Sequence, residues 1–426
     1  MVLSAVQENP ARAAALQDCL GAVLAEPILA AVDLPPFENS AMDGFAVRAA
    51  DIEHLPAELR LVGVSSAGHP AECIVGPGEA ARILTGAVMV PGADTVVRVE
   101  DTELITTAQS SSAESSSAQS SSAEGSSAEG SSAQGSAVES SSAQRELVRI
   151  NLAPAPGANI RKAGEAARLG DQLVAAGTVL NPGHLGLAAS AGCAELTVIE
   201  RPRVAVLSTG DELLPPGAGE LGPGQIFESN STVLAALVRS MGCEVTTHHC
   251  IDDADKLRNL LEGLAQTHQI ILSSGGVSMG GEYDSMRQAV AGHDVEFLKI
   301  AIRPAKPMAF GTVGEAVLFG LPGNPVSSVV AFELFVRPAI RQISGIAPPV
   351  PPTQIGVAGE QLPRLPREFT YMLSVRLNEQ GEWLSTGGFG SHVLGGIAQA
   401  QALAVIPPGP DPVAKGSELN LIPLWS

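Results

Sequence analysis

Between residues 200 and 342, short apolar runs alternate with stretches in which apolar positions recur every three or four residues. The runs 203–208, 244–250, 270–274, 295–300 and 316–320 have strand length and are almost wholly apolar. In 230–241, Val233, Leu234, Leu237, Val238 and Met241 share one helical face, and Gly242 ends the helix. Residues 253–267 repeat the pattern with Leu257, Leu260, Leu261 and Leu264. Residues 325–342 begin at Pro325, a residue suited to a first helical turn. This alternation predicts a mainly parallel sheet with helices on its faces. Outside it the patterning is less regular. Residues 10–30 carry a helix signal, Asn39–Arg48 reads as a polar loop entering a strand, and Arg82–Glu100 reads as loop and strand. Ile346–Thr353 is a Pro-rich linker, and 354–426 has the short, Gly- and Pro-broken runs of a small β domain.

One segment breaks the pattern. Residues 110–144 are seven pentapeptides of the type Ser-Ser-Ser-Ala-Glu or Gly-Ser-Ser-Ala-Gln. They carry too little apolar surface to offset the entropy of ordering, which predicts a flexible insert. The apolar segments Asp94–Val99 and Glu146–Ile150 on either side read as strands, so the insert lengthens a hairpin loop within one domain.

Charge and cysteine content narrow the function classes. The formal net charge of −20 disfavours nucleic acid or an anionic membrane as the main partner. The five cysteines are scattered, with no C-x-x-C pair, as in a protein of reduced thiols. His248 and His249 stand near Cys250 but in a strand, where neighbouring side chains point to opposite faces, so they are not expected to share a metal. There is no signal-peptide pattern and no run of about 18 apolar residues, so a cytoplasmic protein without a membrane span is expected.

Three predicted strands end in glycine-rich turns: Ser208-Thr209-Gly210-Asp211, Gly275-Gly276-Val277-Ser278 leading to Asp284, and Pro322-Gly323-Asn324. Small residues at strand tips leave backbone N–H groups free, and open α/β sheets bind ligands there. Asp211 and Asp284 stand where a phosphate-bound Mg²⁺ needs oxygen ligands. Local cations stand out in so acidic a chain at Arg303 and Lys306. Each feature alone also has a plain reading. Asp43 and Thr85 suit turns before glycine, Asp211 and Asp284 suit helix caps, and Arg303-Pro-Ala-Lys-Pro307 suits a solvated loop.

Taken in order, these segments form a set. Asn39-Ser-Ala-Met-Asp-Gly44, Thr85-Gly86, Ser208-Thr-Gly-Asp211, Gly275-Gly-Val-Ser278, Lys306-Pro307 and Leu321-Pro-Gly-Asn-Pro-Val-Ser327 resemble the molybdopterin molybdenumtransferase family, the MoeA proteins and the gephyrin E domain. The likeness runs along nearly the whole chain except 110–144. It implies an α/β multidomain chain with a central, mainly parallel α/β sandwich domain of molybdopterin-binding type. Irregular mixed α+β N-terminal domains and a small C-terminal β-barrel-like domain complete it. The expected boundaries are 1–45 with 145–178, then 46–144, 179–343 and 350–426. The implied reaction joins molybdate to adenylylated molybdopterin and releases AMP, in a homodimer that uses Mg²⁺. A molybdopterin adenylyltransferase and recipient molybdoenzymes are the implied protein partners.

The resemblance assigns roles to residues of this sequence. Asp43, Thr85, Glu165, Asp211 and Asp284 are the expected catalytic set, with Asp211 and Asp284 on the metal. By likeness, Asp43, Thr85 and Glu165 come from another domain to complete the cleft. Ser208, Thr209, Gly210, Gly275, Gly276, Ser278, Pro322, Gly323 and Asn324 are expected to bind the pterin substrate. Arg303, Lys306, Pro307, Ser327 and Ser391 are expected to bind molybdate, a tetrahedral dianion suited to cations and hydroxyls. Two departures stand out. Three residues, Gly281, Glu282 and Tyr283, precede Asp284 where the family usually has two, and Tyr371 stands where many relatives carry Arg. Alternatives of other classes are a catalytically inactive scaffold of the same fold and the adenylyltransferase. The retained acids argue against the first, and the segments flanking the central domain against the second.

Deleting residues 110–144 is expected to leave melting temperature and activity nearly unchanged, because the closure entropy of a flexible loop varies slowly with its length. A large drop in either would show that the segment packs.

Overall fold

The computed structural model describes residues 1–107, 145–277, 285–365, 368–387 and 394–425. Expectations placed on the 110–144 insert, Ser278, Asp284 and Ser391 fall outside these residues. Contacts divide the chain into two compact units, residues 1–28 with 172–426, and residues 29–171.

The first unit is built around a six-stranded sheet. Its strands are β1 Val204–Thr209, β2 Val245–Cys250, β3 Ile270–Ser274, β4 Asp294–Lys299, β5 Pro307–Val313 and β6 Ala316–Leu321, in the order β2-β1-β3-β6-β5-β4. Strands β1, β3 and β6 are buried along their whole length, which is why they read as unbroken apolar runs. Helices α1 Asn230–Ser240 and α2 Ala254–Ala265 cover opposite faces. Leu234, Leu237 and Val238 of α1 pack on Val204, Val206 and Ile270, while Leu257, Leu261 and Leu264 of α2 pack on Ala205, Leu207 and Ile271. Asp253 caps α2 by accepting from the backbone N–H groups of Asp255 and Lys256 at 3.1 and 3.0 Å.

The pairings β1–β2, β1–β3 and β3–β6 are parallel, as expected. β5 is a strand that the apolar pattern did not show, because Lys306-Pro307 reads as a loop. It turns through Gly314 into β6 and pairs with it and with β4 antiparallel, so the far half of the sheet is antiparallel. The helix expected over 325–342 is present as Pro325–Ala331, a π turn Phe332–Val336, and Arg337–Ile343. Pro338 cannot donate a backbone N–H, and the widened turn precedes it.

Residues 354–425 form the expected β domain. Strands Gln354–Val357, Thr370–Leu377, Ala402–Ile406 and Glu418–Pro423 pair in one sheet, with Trp383–Ser385 along Thr370–Leu377. A bridge from Ala358 to Trp383 closes the sheet on itself, giving the barrel-like shape. The two-residue strand Ile302–Arg303 leaves the central domain to pair with Thr370–Tyr371. Met372, Leu403 and Leu424 share a core with β1 and α1, so the barrel and the central sheet are packed together.

The helix expected over 10–30 is absent. Ala11–Ala15 is a strand paired antiparallel with Glu195–Ile199, followed by a 3₁₀ turn at Leu16–Asp18. A distant partner strand has overridden the helical propensity of alanine. In the second unit a six-stranded sheet orders Thr95–Arg98, Gly44–Val47, Glu79–Ile83, Ala57–Ser65, Arg145–Ile150 and Thr102–Thr107. The hairpin partner of 145–150 is therefore Thr102–Thr107 and not the earlier strand 95–98.

The helix 325–343 carries a buried ion pair. Arg337 forks onto Glu333, with Nη2 to Oε1 at 2.9 Å and side chains 6% and 0% exposed. Arg337→Met should leave Glu333 charged and unpaired in the core, at a cost of roughly 3–5 kcal/mol. The double variant Glu333→Leu with Arg337→Met should recover most of that loss. Chemical unfolding midpoints of the three proteins check the expectation.

Candidate functional site

The three glycine-rich turns converge at the carboxyl end of the central sheet. Strand pairing sets Ser208 beside Ser274 and Ser274 beside Leu321, so the tips of β1, β3 and β6 lie in a row. Gly210, Gly275 and Gly276 have φ of +148°, +98° and +67°, values open to glycine. A Cβ on Gly275 would come within 3.0 Å of the Thr209 carbonyl oxygen, and one on Gly323 within 3.6 Å of the Gly275 Cα. The turns are thus stacked closely enough that side chains would fill the space between them. Asn230, at the start of α1, ties the row together. Its Nδ2 donates to Ser274 Oγ at 2.7 Å and to the Gly323 carbonyl at 2.6 Å. Thr209 Oγ1 is buried here without a hydrogen-bond partner among the described residues. Buried hydroxyls are rarely left so, and an acceptor or donor from a ligand would satisfy it.

Asp211 is exposed at the tip of β1, where its Oδ1 accepts from the Asp252 N–H at 3.1 Å. Asp252 also accepts from Ser285 Oγ at 3.3 Å. Asp252 was not among the residues expected from sequence. The signal available was the Asp252-Asp253 pair between a strand and a helix, of which only the cap function is legible locally. Pro322, Gly323 and Asn324 form the turn after β6. Ser327 is buried in the first turn of the following helix, and its neighbour Ser328 donates to the Pro322 carbonyl.

Arg303 and Lys306 flank the aromatic ring of Phe369. The Arg303 guanidinium lies 4.6 Å and the Lys306 Nζ 5.2 Å from its centroid. Two exposed cations are thus held on one ring, which brings them together. β5, which starts at Pro307, runs antiparallel to β6, so this pair sits at the same end of the sheet as the three turns. Phe369 is the residue that sequence reasoning missed here, since nothing local links it to position 303.

In the second unit, Asp43 and Thr85 meet. Gly44 pairs with Ile83, which sets the start of one strand beside the end of the other. A Cβ on Gly44 would lie 1.9 Å from the Val97 carbonyl oxygen, so glycine is required at the Asp-Gly turn. Asp43 Oδ1 accepts from Thr85 N at 2.7 Å and from Thr85 Oγ1 at 2.8 Å. These donors, the backbone N–H first, hold the Asp43 carboxyl below the usual carboxylate range. Glu165 closes a separate exposed turn by accepting from the Lys162 N–H at 2.9 Å.

Glycine turns at the carboxyl edge of a sheet covered on both faces, joined to a small β barrel, define a multidomain α/β protein with an open sheet edge. Family models agree along the chain: MoeA N-terminal region (domain I and II) over residues 1–192, a probable molybdopterin binding domain over 205–342, and MoeA C-terminal region (domain IV) over 360–424. Molybdopterin molybdenumtransferase 2 of Mycobacterium tuberculosis is 35% identical over 420 residues, covering 95% of this chain and 93% of its own length. The molybdopterin molybdenumtransferase of a Nostoc species is 33% identical over 418 residues, covering 95% and 86%. The crystal structure of the MoeA molybdopterin biosynthesis protein from Pyrococcus horikoshii superposes with a TM-score of 0.70 at 26% identity, covering 100% of this chain and 97% of that one. The chain belongs to the molybdopterin molybdenumtransferase family.

Because the folded pKa of Asp43 is depressed, its contribution to stability is present above the unfolded carboxylate value and is lost as pH falls through the folded one. Thr85→Val removes the hydroxyl donor and keeps the backbone donor. The Asp43 titration midpoint, followed by carboxyl-carbon NMR, should move up toward the ordinary value; an unmoved midpoint would show that the hydroxyl contributes nothing.

Proposed function

We propose that the chain carries out the metal-insertion step of molybdenum cofactor biosynthesis. In this reading, adenylylated molybdopterin and molybdate yield the molybdenum-loaded cofactor and AMP. The observation that carries it is the row of glycine turns around the unpaired Thr209 hydroxyl, in a chain that aligns with transferases of this name over almost its full length. The pyrophosphate-linked substrate is a polyanion, and the Gly276 N–H suits one of its phosphates, while the N–H groups of Gly210 and Gly275 donate to the Cys250 and Leu321 carbonyls and hold the turns in place. Ser208, Thr209, Ser278, Pro322, Gly323 and Asn324 complete the proposed substrate cradle.

Mg²⁺ fits the donor set. Among the described residues no three His, Cys, Asp or Glu side chains gather as a metal cage. A hard cation held by one or two carboxylates, with the remaining ligands from phosphate and water, is the usual Mg²⁺ arrangement. Asp211 and Asp284 would hold it, and it would neutralise charge on the pyrophosphate as AMP departs. Asp252, through its N–H, orients Asp211 for that task. Arg303 and Lys306 attract molybdate, with Pro307, Ser327 and Ser391 shaping the rest of its pocket. By family likeness Asp43, kept ionised by Thr85, and Glu165 are the further acids of the proposed catalytic set. The same reading includes a homodimer, a cytoplasmic location, supply of substrate by a molybdopterin adenylyltransferase and delivery to molybdoenzymes.

Molybdate-dependent AMP release tests the proposal. Wild type should release AMP, and Asp211→Asn should not, while keeping its melting temperature. Charge-assisted contacts to a dianion are worth roughly 1.5–3 kcal/mol each, so Lys306→Ala should raise the half-saturating molybdate concentration about tenfold or more. Binding of adenylylated molybdopterin should change less, and tungstate should compete. Full AMP release by Asp211→Asn would overturn the metal-site assignment. An unchanged molybdate requirement in Lys306→Ala would move Lys306 to the phosphate cradle.

A further inference from the structure

Beside the glycine row, on the α1 face of the sheet, lies a cavity of about 200 Å³ lined by Ser208, Leu213, Pro215, Glu228 and His249, with Thr232 at its edge. Glu228 is 8% exposed and sits just before α1. Its Oε1 accepts from the Ser231 N–H at 2.7 Å and its Oε2 from the Ser231 hydroxyl. A carboxylate has about four acceptor positions, so each oxygen keeps one. Among the described residues Glu228 has no ion-pair partner. A buried carboxylate without a cation is costly unless further donors reach it. Capping the helix needs only the backbone contact, and Asp, Ser or Asn would do that as well.

We propose that this cavity is the ring pocket for the substrate, and that Glu228 recognises the amino-lactam edge of a pterin. The inference rests on the molybdenum-insertion reading above. The cavity is smaller than the roughly 300 Å³ at which pockets begin to enclose whole drug-sized ligands, so it suits one bicyclic ring. Leu213, Pro215 and Pro216 supply apolar surface for the ring. A pterin presents a ring N–H and an exocyclic amino group side by side, and a carboxylate accepts from both at once. Adenine presents an amino group beside an acceptor nitrogen, which a carboxylate repels. His249, whose Nδ1 lies 3.4 Å from Ser208 Oγ, lines the same cavity and offers a ring nitrogen as a donor for a pterin carbonyl. Ser208, at the tip of β1, links this pocket to the phosphate cradle. The site therefore separates the two ends of a substrate that carries both a pterin and an adenine.

The test uses the full chain and three probes: free pterin, AMP and adenylylated molybdopterin. Glu228→Gln keeps an acceptor for the Ser231 N–H and removes the charge. It should weaken free pterin and adenylylated molybdopterin about tenfold or more and leave AMP affinity unchanged. Thr232→Phe, placed on the exposed side of α1, should block pterin in the same way without touching the carboxylate. Unchanged pterin affinity in both variants, with only a lower melting temperature for Glu228→Gln, would make Glu228 a helix cap and overturn the proposal. Equal weakening of AMP and pterin would overturn it as well, by removing the selectivity. If wild type binds pterin through Glu228 yet releases no AMP with molybdate, the insertion reading fails and the ring pocket stands.

Discussion

The molecule is organised by what happens to backbone N–H groups where buried parallel strands stop. Inside the sheet, β1, β3 and β6 satisfy their polar backbone by pairing, and their side chains are sealed under α1 and α2. At the carboxyl ends that pairing continues one residue further, from the Gly210 N–H to the Cys250 carbonyl and from the Gly275 N–H to the Leu321 carbonyl, and then stops. Left-handed glycines at 210, 275 and 276 turn the chain there without placing a Cβ in the narrow space between the turns. Between these tight turns the Thr209 hydroxyl is buried with no hydrogen-bond partner among the described residues.

The small barrel contributes more than mass. Its core is continuous with that of the central sheet, and it borrows the strand Ile302–Arg303 as an edge. That exchange fixes the loop after β4, so Arg303 and Lys306 are held on Phe369 and not left to wander in solvent. In a protein of net charge −20, a cation pair held in a fixed geometry is a local exception to the prevailing negative field.

The acids show how one residue type is set to different conditions. Asp43 accepts two hydrogen bonds from one threonine and is held ionised. Asp211 accepts one backbone bond and stays open at a strand tip. Glu228 is nearly enclosed and bonded to a single serine. Glu333 is fully enclosed and must have its arginine. Burial and partner count, not residue identity, separate the acids open to a ligand from the acid that only supports the fold.

The sequence alone determined whatever depends on neighbours along the chain. The faces of α1 and α2, the buried runs of β1, β3 and β6, and the small residues that end them are all local patterns, and they carried the fold class and the candidate cradle. Tertiary structure decided whatever depends on distant pairing. Ala11–Ala15 became a strand because Glu195–Ile199 lay beside it, and β5 became one because Gly314 folded it back on β6. Phe369 lies 63 residues beyond Lys306 in sequence, and Asp252 lies 41 beyond Asp211, so neither partnership leaves a local trace. A hydrogen bond between strand tips is set by sheet order and register, and these are properties of the packed chain, while helical periodicity and a glycine turn are properties of a few consecutive residues.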